Sequence, residues 1–303
     1  MQIKRVKRHI SGILLLDKPL GFSSNQALQR VKWLLQAAKA GHTGTLDPLA
    51  TGLLPLCFGE ATKFAHYLTD ADKTYVATLK LGVTTTTGDA EGEALHSLPV
   101  NVSKPQLLEV CQQFIGAISQ VPPMYSALKH EGKALYEYAR AGVDIERKPR
   151  LVRIDHIELN DFSEDIATIT VTCSKGTYIR TLAEDIGKQL GCGAHLIGLR
   201  RIATANYQIH QSMTLEAFES LSTDERIAAL QPADSAVLHL PAVALDSDST
   251  YYLRQGQSVW RGGVVPAGLL RLYSEQGEFL GLGERLADGK IAPKRLVVEK
   301  IDV

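Results

Sequence analysis

Residues 41–52 read Gly-His-Thr-Gly-Thr-Leu-Asp-Pro-Leu-Ala-Thr-Gly, and this stretch decides how the rest of the chain is interpreted. Its content of Gly, Thr and Pro, between two stretches of periodic apolar residues, predicts a loop with tight backbone turns. The loop holds one carboxylate, Asp47, which such turns can aim into a cleft. A simpler interpretation is that Asp47 only starts an Asp-Pro turn, and in an arbitrary protein that interpretation would be preferred.

Two other uses of a Gly-rich loop are excluded by spacing. A phosphate-binding loop requires a following Gly-Lys-Ser/Thr, which is missing here. A zinc site would require a third ligand at a recognisable distance from His42 and Asp47, and none follows. The cysteines are also far apart and contain no C-x-x-C pair, which indicates reduced core thiols rather than disulfides or a metal site. These are Cys57, Cys111, Cys173 and Cys192.

The chain before this loop is predicted to open with a strand and a helix. Residues 13–16 form a short apolar run that is typical of a buried strand. Residues 23–26, Ser-Ser-Asn-Gln, offer a capping box for a helix. Apolar residues then recur at helical spacing, at Leu28, Val31, Leu34 and Leu35.

Two later segments are predicted to be half-buried strands. Apolar and polar residues alternate from Tyr75 to Leu81 and again from Ala167 to Cys173. The second segment is followed by a helical pattern, which Gly191 is well placed to end. The apolar residues of that pattern are Ile179, Leu182, Ile186 and Leu190. A mixed α/β body is therefore expected.

The last part of the chain has a different pattern of apolar and polar residues. Pro232 and Pro241 interrupt the periodic pattern, so a domain boundary is expected between residues 232 and 245. Residues 269–273 and 278–282 flank a polar turn as the strands of a hairpin would, and residues 297–298 are predicted to form a further short strand. We therefore predict a first domain over residues 1–240 and a small β-rich domain over residues 245–303.

Composition indicates a globular protein with a large core, because the chain has 303 residues and 45% of them are hydrophobic. The apolar run after the basic start ends at Asp17 and lacks a cleavage site, so it is not interpreted as a signal peptide. No apolar run approaches the roughly 20 residues of a membrane span. A cytoplasmic location without membrane association is the resulting expectation.

The distribution of charge points to one local basic segment. The 33 Lys and Arg residues equal the 33 Asp and Glu residues, so any nucleic-acid role must depend on clusters. Between residues 129 and 153, seven basic residues face four acidic ones, with Tyr136 and Tyr138 among them. The basic residues are Lys129, Lys133, Arg140, Arg147, Lys148, Arg150 and Arg153. This composition suits contact with phosphates better than an ordinary solvated helix face.

Five ordered blocks in the first 200 residues resemble the TruB-type tRNA pseudouridine-55 synthases. They are residues 16–19 with Gly21, residues 41–52, residues 59–63 with 73–75, residues 122–129 and residues 174–180. Residues 280–283 and 292–295 resemble, more weakly, the PUA-like tail of the same enzymes. The resemblance implies an α+β catalytic domain with a mostly antiparallel sheet and a central cleft, followed by a PUA-like RNA-binding domain.

The resemblance also implies a reaction. The N-glycosidic bond of a uridine is broken, the uracil turns over, and its C5 is joined to the ribose C1′. No atoms are gained or lost, so the reaction requires no redox carrier, and neither a cofactor nor a metal is expected. The implied substrate is uridine 55 in the T arm of tRNA, which must be flipped out of its loop.

By motif position, Asp47 corresponds to the family's catalytic aspartate. Three routes are open to its carboxylate, which could attack the ring, attack the anomeric carbon or assist elimination. Arg180 matches the arginine whose guanidinium would keep Asp47 ionised and oriented, although its position off the apolar helix face also fits a solvated arginine. Tyr75 matches the tyrosine that stacks on the target base and could accept its C5 proton, and it also fits a buried strand residue.

The remaining assignments concern substrate binding. Tyr178 and Leu199 correspond to further base-pocket positions, although each alone would be interpreted as core. His42 matches the residue that enters the space left by the flipped base, and the simpler alternative is a loop histidine bound to its own backbone. Lys18, with Pro19, resembles the packing pair beneath the active loop.

The segment from residue 129 to residue 153 resembles a mobile thumb that closes on the tRNA. Its predicted phosphate contacts are Lys129, Arg140, Arg147, Lys148 and Arg150. The enzyme is expected to act on tRNA as a monomer and without a guide RNA. Two alternatives remain open, namely a non-catalytic RNA-binding protein or RNA chaperone of the same fold, and a guide-RNA-dependent synthase that acts on ribosomal RNA.

Overall fold

The structure is a computed structural model that describes residues 7–298. The strands are β1 (Gly12–Lys18), β2 (Ala40–His42), β3 (Ala50–Phe58), β4 (Lys73–Leu81), β5 (Val83–Thr85), β6 (Ala94–Ser97), β7 (Gly116–Gln120), β8 (Lys129–His130), β9 (Lys133–Ala134), β10 (Arg150–Ser163), β11 (Ile166–Cys173), β12 (Ala194–Thr204), β13 (Tyr207–Gln208), β14 (Met213–Thr214), β15 (Ala242–Leu245), β16 (Gly268–Ser274), β17 (Phe279–Arg285) and β18 (Ile291–Leu296). The helices are α1 (Ser24–Leu35), α2 (Ala65–Asp70), α3 (Lys104–Gln113), α4 (Leu135–Arg140), α5 (Ile179–Gln189), α6 (Leu215–Ser220), α7 (Thr223–Ala228) and α8 (Ser247–Arg254).

One large sheet organises the first 240 residues. Its strand order is β14-β1-β3-β12-β4-β11-β10-β7, with β2 paired to β3 and β13 paired to β12. The pairs β1–β14 and β3–β12 are parallel, and the other pairs of this sheet are antiparallel. The predicted α+β body with a mostly antiparallel sheet is therefore confirmed.

Strands β1 and β4 of this sheet explain the two kinds of strand pattern in the sequence. In β1, Leu14 and Leu16 face the main core, whereas Ile13 and Leu15 face a second core on the other side. A strand that is buried on both faces has no polar alternation. In β4 only one face is buried, because Tyr75 and its alternate neighbours face the main core while the residues between them are half-exposed.

The predicted helices begin and end where the sequence indicated. Ser23 is the N-cap of α1, since its hydroxyl accepts a hydrogen bond from the Gln26 N–H (3.2 Å), and the Ser23 N–H donates to the Gln26 side chain (2.8 Å). Helix α5 follows the strand β11 and ends before Gly191, whose φ of 76° lies in the left-handed region that favours glycine after a helix. Both local predictions are confirmed.

The predicted loop over residues 41–52 is shorter than expected. Gly41 and His42 belong to β2, and residues 50–52 belong to β3, so only residues 43–49 lie outside a strand. The reason is that each end of the Gly- and Thr-rich motif joins a ladder. Residues 41–42 pair with residues 56–57 of β3, and residues 50–52 pair with residues 199–201 of β12. Asp47 consequently lies in a short connection that is held at both ends.

The C-terminal sheet has the order β15-β16-β17-β18, and the hairpin predicted over residues 269–282 is its β16–β17 pair. The strand predicted at residues 297–298 is wrong, because β18 runs from Ile291 to Leu296. Val297 follows β18, its N–H donates to the Leu280 carbonyl of β17 (3.0 Å), and its side chain packs against the second core. Pro293 is tolerated inside β18 because this strand is at the sheet edge.

The second core joins this sheet to the rest of the chain. Buried Leu282 of β17 lies in the same apolar cluster as Ile13, Leu53 and Phe64, and the rings of Phe64 and Phe279 are 5.4 Å apart. The Lys63 ammonium also donates to the Leu296 carbonyl (2.8 Å). The C-terminal sheet is thus packed on the large sheet through shared apolar side chains.

Candidate active site

The loop that carries Asp47 is fixed by the start of α1. The Leu46 N–H donates to the buried Ser24 hydroxyl (2.8 Å), and that hydroxyl donates back to the Leu46 carbonyl (3.0 Å). The Gly21 N–H donates to the Pro48 carbonyl (2.9 Å). The main chain on both sides of Asp47 is therefore restrained, while its side chain remains 42% exposed and open to a substrate.

Arg180 lies beside this carboxylate. Its Nη2 is 3.0 Å from Asp47 Oδ2, and the residue is only 5% exposed, so it is not a solvated helix arginine. The same nitrogen donates to the Tyr125 carbonyl (2.6 Å), and Nη1 donates to the Thr87 carbonyl (3.1 Å). These carbonyls fix the guanidinium before any substrate binds, so Asp47 meets a preorganised cation.

Opposing effects set the protonation of Asp47. Burial raises the pKa of this carboxyl above its usual 3.8, the Arg180 guanidinium opposes the rise, and the charge of Asp89 adds to it. The ionised form thus depends on Arg180 more than it would on the surface. A carboxylate kept in this balance can act as a nucleophile or stabilise positive charge on a sugar.

The proposed base pocket is built from three different elements. Tyr75 is buried on β4, and its cross-strand partner on β12 is Arg201. Leu199 is two positions from Arg201 on β12, so the side chains of Tyr75 and Leu199 lie on the same face of the sheet. Tyr178 precedes α5, and its backbone exchanges two hydrogen bonds with the Gln120 side chain, at 2.9 and 3.1 Å. Burial raises the pKa of both tyrosines, so their hydroxyls are protonated at neutral pH.

His42 and Lys18 lie beside the loop that carries Asp47. Burial, with a smaller contribution from Arg201, lowers the pKa of His42, and its buried Nδ1 has no hydrogen-bond partner within residues 7–298. Lys18 is fully buried and donates to the carbonyls of Pro19 (2.9 Å) and Phe22 (2.5 Å). Burial lowers the pKa of Lys18 to about 8, although the negative charge of Asp47 opposes this shift.

Comparison with known proteins identifies the family. Residues 32–179 match the sequence model described as TruB family pseudouridylate synthase (N terminal domain), residues 180–238 match the tRNA pseudouridylate synthase B C-terminal domain, and residues 241–297 match Pseudouridine synthase II TruB, C-terminal. The tRNA pseudouridine synthase B of Methylobacillus flagellatus is 62% identical over 297 residues, which are 98% of this chain and 98% of that protein. The chain belongs to the TruB family of tRNA pseudouridine synthases.

Other comparisons agree with this TruB-family membership. The tRNA pseudouridine synthase B of Pseudomonas aeruginosa is 53% identical over 300 residues, which are 98% of this chain and 99% of that protein. The structure is also similar to a chain in the crystal structure of a Cbf5-Nop10-Gar1 complex, with a TM-score of 0.70 and 27% identity over 95% of this chain and 84% of that one. The resemblance predicted from the sequence blocks, the fold class and the synthase activity are confirmed.

Sequence reasoning missed two buried charged residues of this TruB-family site. Asp89 is 2% exposed and lies 3.6 Å from the Arg180 Nε, and it accepts hydrogen bonds from the Thr87 hydroxyl (2.5 Å) and the Glu91 N–H (3.1 Å). Its neighbours Gly-Asp-Ala-Glu-Gly read as an exposed turn, and no local signal distinguishes them from one. Arg201 is 1% exposed, and it was hidden beside Arg200 in a basic pair of a strand.

The predicted thumb of the TruB-family chain consists of the hairpin β8–β9, helix α4 and an irregular segment before β10. Lys129, Arg140, Lys148 and Arg150 are exposed on it. Arg147 is half-buried instead, because its guanidinium donates to the Ile145 carbonyl (3.0 Å) and to the Asp144 carboxylate (3.2 Å). Four of the five predicted phosphate contacts are therefore accessible in this arrangement.

Neither a cluster of metal ligands nor a membrane-spanning helix occurs in the part of the chain that the structure describes. Within residues 7–298, no three His, Cys, Asp or Glu side chains are grouped as metal ligands would be. Among the helices of the same residues, none is long and apolar enough to span a bilayer.

Proposed function

We propose that this chain converts uridine 55 in the T arm of tRNA to pseudouridine, as a monomer and without a guide RNA. The observation that carries the proposal is the 3.0 Å contact between the preorganised Arg180 guanidinium and the partly exposed Asp47 carboxylate. Family membership supplies the reaction class. The experiment below tests the specific uridine and the independence from a guide RNA.

Asp47 acts on the sugar or on the ring of the flipped uridine. Arg180 contacts Oδ2, which leaves the second carboxylate oxygen for the substrate. The bond between C1′ and N1 breaks, a bond between C1′ and C5 forms, and the proton on C5 is lost to an acceptor while N1 gains one. Atoms balance without any co-reactant, whichever of the three routes the carboxylate takes.

Tyr75, Tyr178 and Leu199 hold the flipped base. Tyr75 stacks on the uracil and accepts the C5 proton while its hydroxyl, which is protonated at neutral pH, gives up its own proton to water. The other two side chains complete the walls of the pocket. His42, which is neutral at pH 7 because its pKa is lowered, occupies the space left in the RNA stack. Lys18 supports the active loop and adds positive charge near Asp47.

RNA binding is divided between two further regions. The exposed basic residues of the thumb, over residues 129–153, contact backbone phosphates of the T arm. The PUA-like sheet after residue 240 extends the RNA-binding surface, and residues 1–240 form the catalytic domain. This division gives tRNA as the partner and no role to a membrane.

The test uses unmodified tRNA that carries tritium at C5 of its uridines. Incubation with the purified protein alone should release one tritium per tRNA, because the C5 hydrogen is lost when C5 is joined to C1′. A matched tRNA with cytidine at position 55 is the control and should release none. Release from the control would contradict the assignment to position 55. Tritium release only after a guide RNA is added would favour the guide-dependent alternative. No tritium release under any condition would favour a non-catalytic RNA-binding protein.

A further inference from the structure

Arg201 is a large side chain buried in the middle of the site. It lies on β12 between Gly52 of β3 and Tyr75 of β4, and only 1% of its surface is exposed. Gly52 has a φ of 100°, and a Cβ at that position would lie 2.3 Å from the Arg201 carbonyl oxygen. Glycine at the end of the motif is thus required by the close approach of β12, which brings Arg201 under the active loop.

The guanidinium of Arg201 connects the two ends of the loop that carries Asp47. Its Nη2 donates to the Gly44 carbonyl (3.2 Å), three residues before Asp47, and its Nε donates to the Leu53 carbonyl (2.7 Å), six residues after it. The guanidinium also opposes the rise that burial causes in the pKa of its cross-strand neighbour Tyr75. One side chain therefore binds the loop of one proposed catalytic residue and lies beside another on the neighbouring strand.

The charge of Arg201 is uncompensated by an ion pair. No carboxylate within residues 7–298 lies in salt-bridge distance of it, and its charge lowers the pKa of three neighbouring basic groups. These groups are Lys18, His42 and Lys73. A buried charge without an opposite charge beside it destabilises a fold, because it loses its hydration. An apolar side chain of similar size would avoid this desolvation penalty. The arrangement is therefore poorly explained by stability alone.

We infer that Arg201 is a positioning residue for the reaction, which holds the Tyr75 side chain and the Asp47 loop in one fixed arrangement. The inference rests on the proposed function, because it gives Tyr75 and Asp47 their roles in pseudouridine formation. Arg201 itself is too deeply buried to touch the substrate. Its removal therefore affects the chemical step while leaving RNA binding largely unchanged.

The experiment compares Arg201→Gln and Arg201→Lys with the wild type in single-turnover tritium release at saturating tRNA. Arg201→Gln removes the charge and one donor group, and we expect its rate to fall by about 30-fold or more, with a tRNA dissociation constant within about threefold of wild type. Arg201→Lys retains the charge and one donor, and its rate should lie between the two. The matched control is Arg200→Gln on the same strand, which loses a partly exposed pair with Asp17 and a hydrogen bond to the Thr51 hydroxyl (3.3 Å), and it should keep its rate within about twofold.

Each outcome decides the inference. A rate within threefold of wild type for Arg201→Gln would overturn it. A parallel loss of rate, tRNA affinity and cooperative unfolding in both variants would also overturn it, because Arg201 would then be a residue of the fold only. Failure of the wild-type protein to release tritium would instead contradict the proposed function, so the two failures are distinguishable.

Discussion

At the scale of single residues, the site is an alternating set of buried charges. Asp89 contacts Arg180 from one side, Asp47 contacts it from the other, and Lys18 adds a second positive charge close to Asp47. Each charge offsets the burial cost of its neighbour. Removal of any one member leaves the next without compensation, so the effects of these residues on activity are expected to be strongly coupled.

Asp47→Asn tests the catalytic carboxylate. The amide keeps the size and shape of the side chain but cannot supply the negative charge that cleavage of the glycosidic bond requires. We expect pseudouridine formation to fall by at least about 1,000-fold, with a tRNA dissociation constant near that of wild type. Tritium release gives the rate and filter binding gives the affinity. Appreciable turnover by this variant would show that Asp47 is not the catalytic group.

Arg180→Gln tests the electrostatic control of Asp47. Asp47 acts as a carboxylate, and its ionised fraction declines as the pH falls through its pKa. Because Arg180 lowers that pKa against the effect of burial, loss of the guanidinium should raise it further. The acidic limb of the single-turnover rate should therefore move to higher pH, and Arg180→Lys should move it less.

The control for this pH measurement is Arg254→Gln, which removes an arginine at the end of α8 that pairs with Glu278 just before β17. Its acidic limb should coincide with that of the wild type. An Arg180→Gln profile with an unchanged acidic limb would mean that the rate does not depend on ionisation of Asp47.

At the scale of elements, the basic residues of the thumb differ from one another in their exposure and in their contacts. Lys129 and Lys148 are exposed. Arg150 is also exposed, but it pairs with Gln120 across β7 and β10, and its charge opposes the rise that burial causes in the pKa of Tyr178. Arg147 is tied to its own segment. The two lysines are thus the residues that best report phosphate contact alone.

The double variant Lys129→Gln, Lys148→Gln should bind tRNA more weakly and with a smaller dependence on salt. Each lost phosphate contact removes about 0.7–0.9 from the slope of log affinity against log salt, so the slope should shrink by about 1.5. The single-turnover rate at saturating tRNA should change little. Lys104→Gln, at the start of α3, serves as a control for the loss of one positive charge outside the thumb and should leave the slope unchanged. An unchanged slope in the double variant would contradict the assigned role of the thumb.

At the scale of the whole molecule, the C-terminal sheet stabilises the large sheet on which it packs. Leu282 and Phe279 pack with side chains of β1, β3 and the segment before α2, and Tyr273 donates to the Asp234 carboxylate (2.6 Å). Truncation before β15 would expose these apolar side chains to water. We therefore expect the chain to unfold as one cooperative unit.

Leu282→Ala tests this coupling. The side chain is buried in the second core, so its truncation should lower the free energy of unfolding by about 2–5 kcal/mol. The loss should appear in a single transition monitored by circular dichroism in urea. Leu286→Ala, at an exposed site just after β17, is the matched control and should cost less than about 1 kcal/mol. Two separate transitions, with the larger one unchanged, would show that the sheets are independent.

The sequence by itself determined the local features of this protein. The capping box at Ser23, the alternation in β4 and β11, the end of α5 at Gly191 and the β16–β17 hairpin were predictable, because each depends on a few neighbouring residues. The motif around Asp47 identified the family and most of the proposed site. Periodicity reports which face of an element a side chain occupies.

Only the tertiary structure decided which faces meet. Asp89 reaches Arg180 because the turn between β5 and β6 folds back over the start of α5, and Arg201 lies under the active loop because β12 is inserted between β3 and β4. The second core likewise combines strands that are more than 200 residues apart. Strand order is set by the burial of all elements together, so the charged partners at the centre of the site had no signal in the residues beside them.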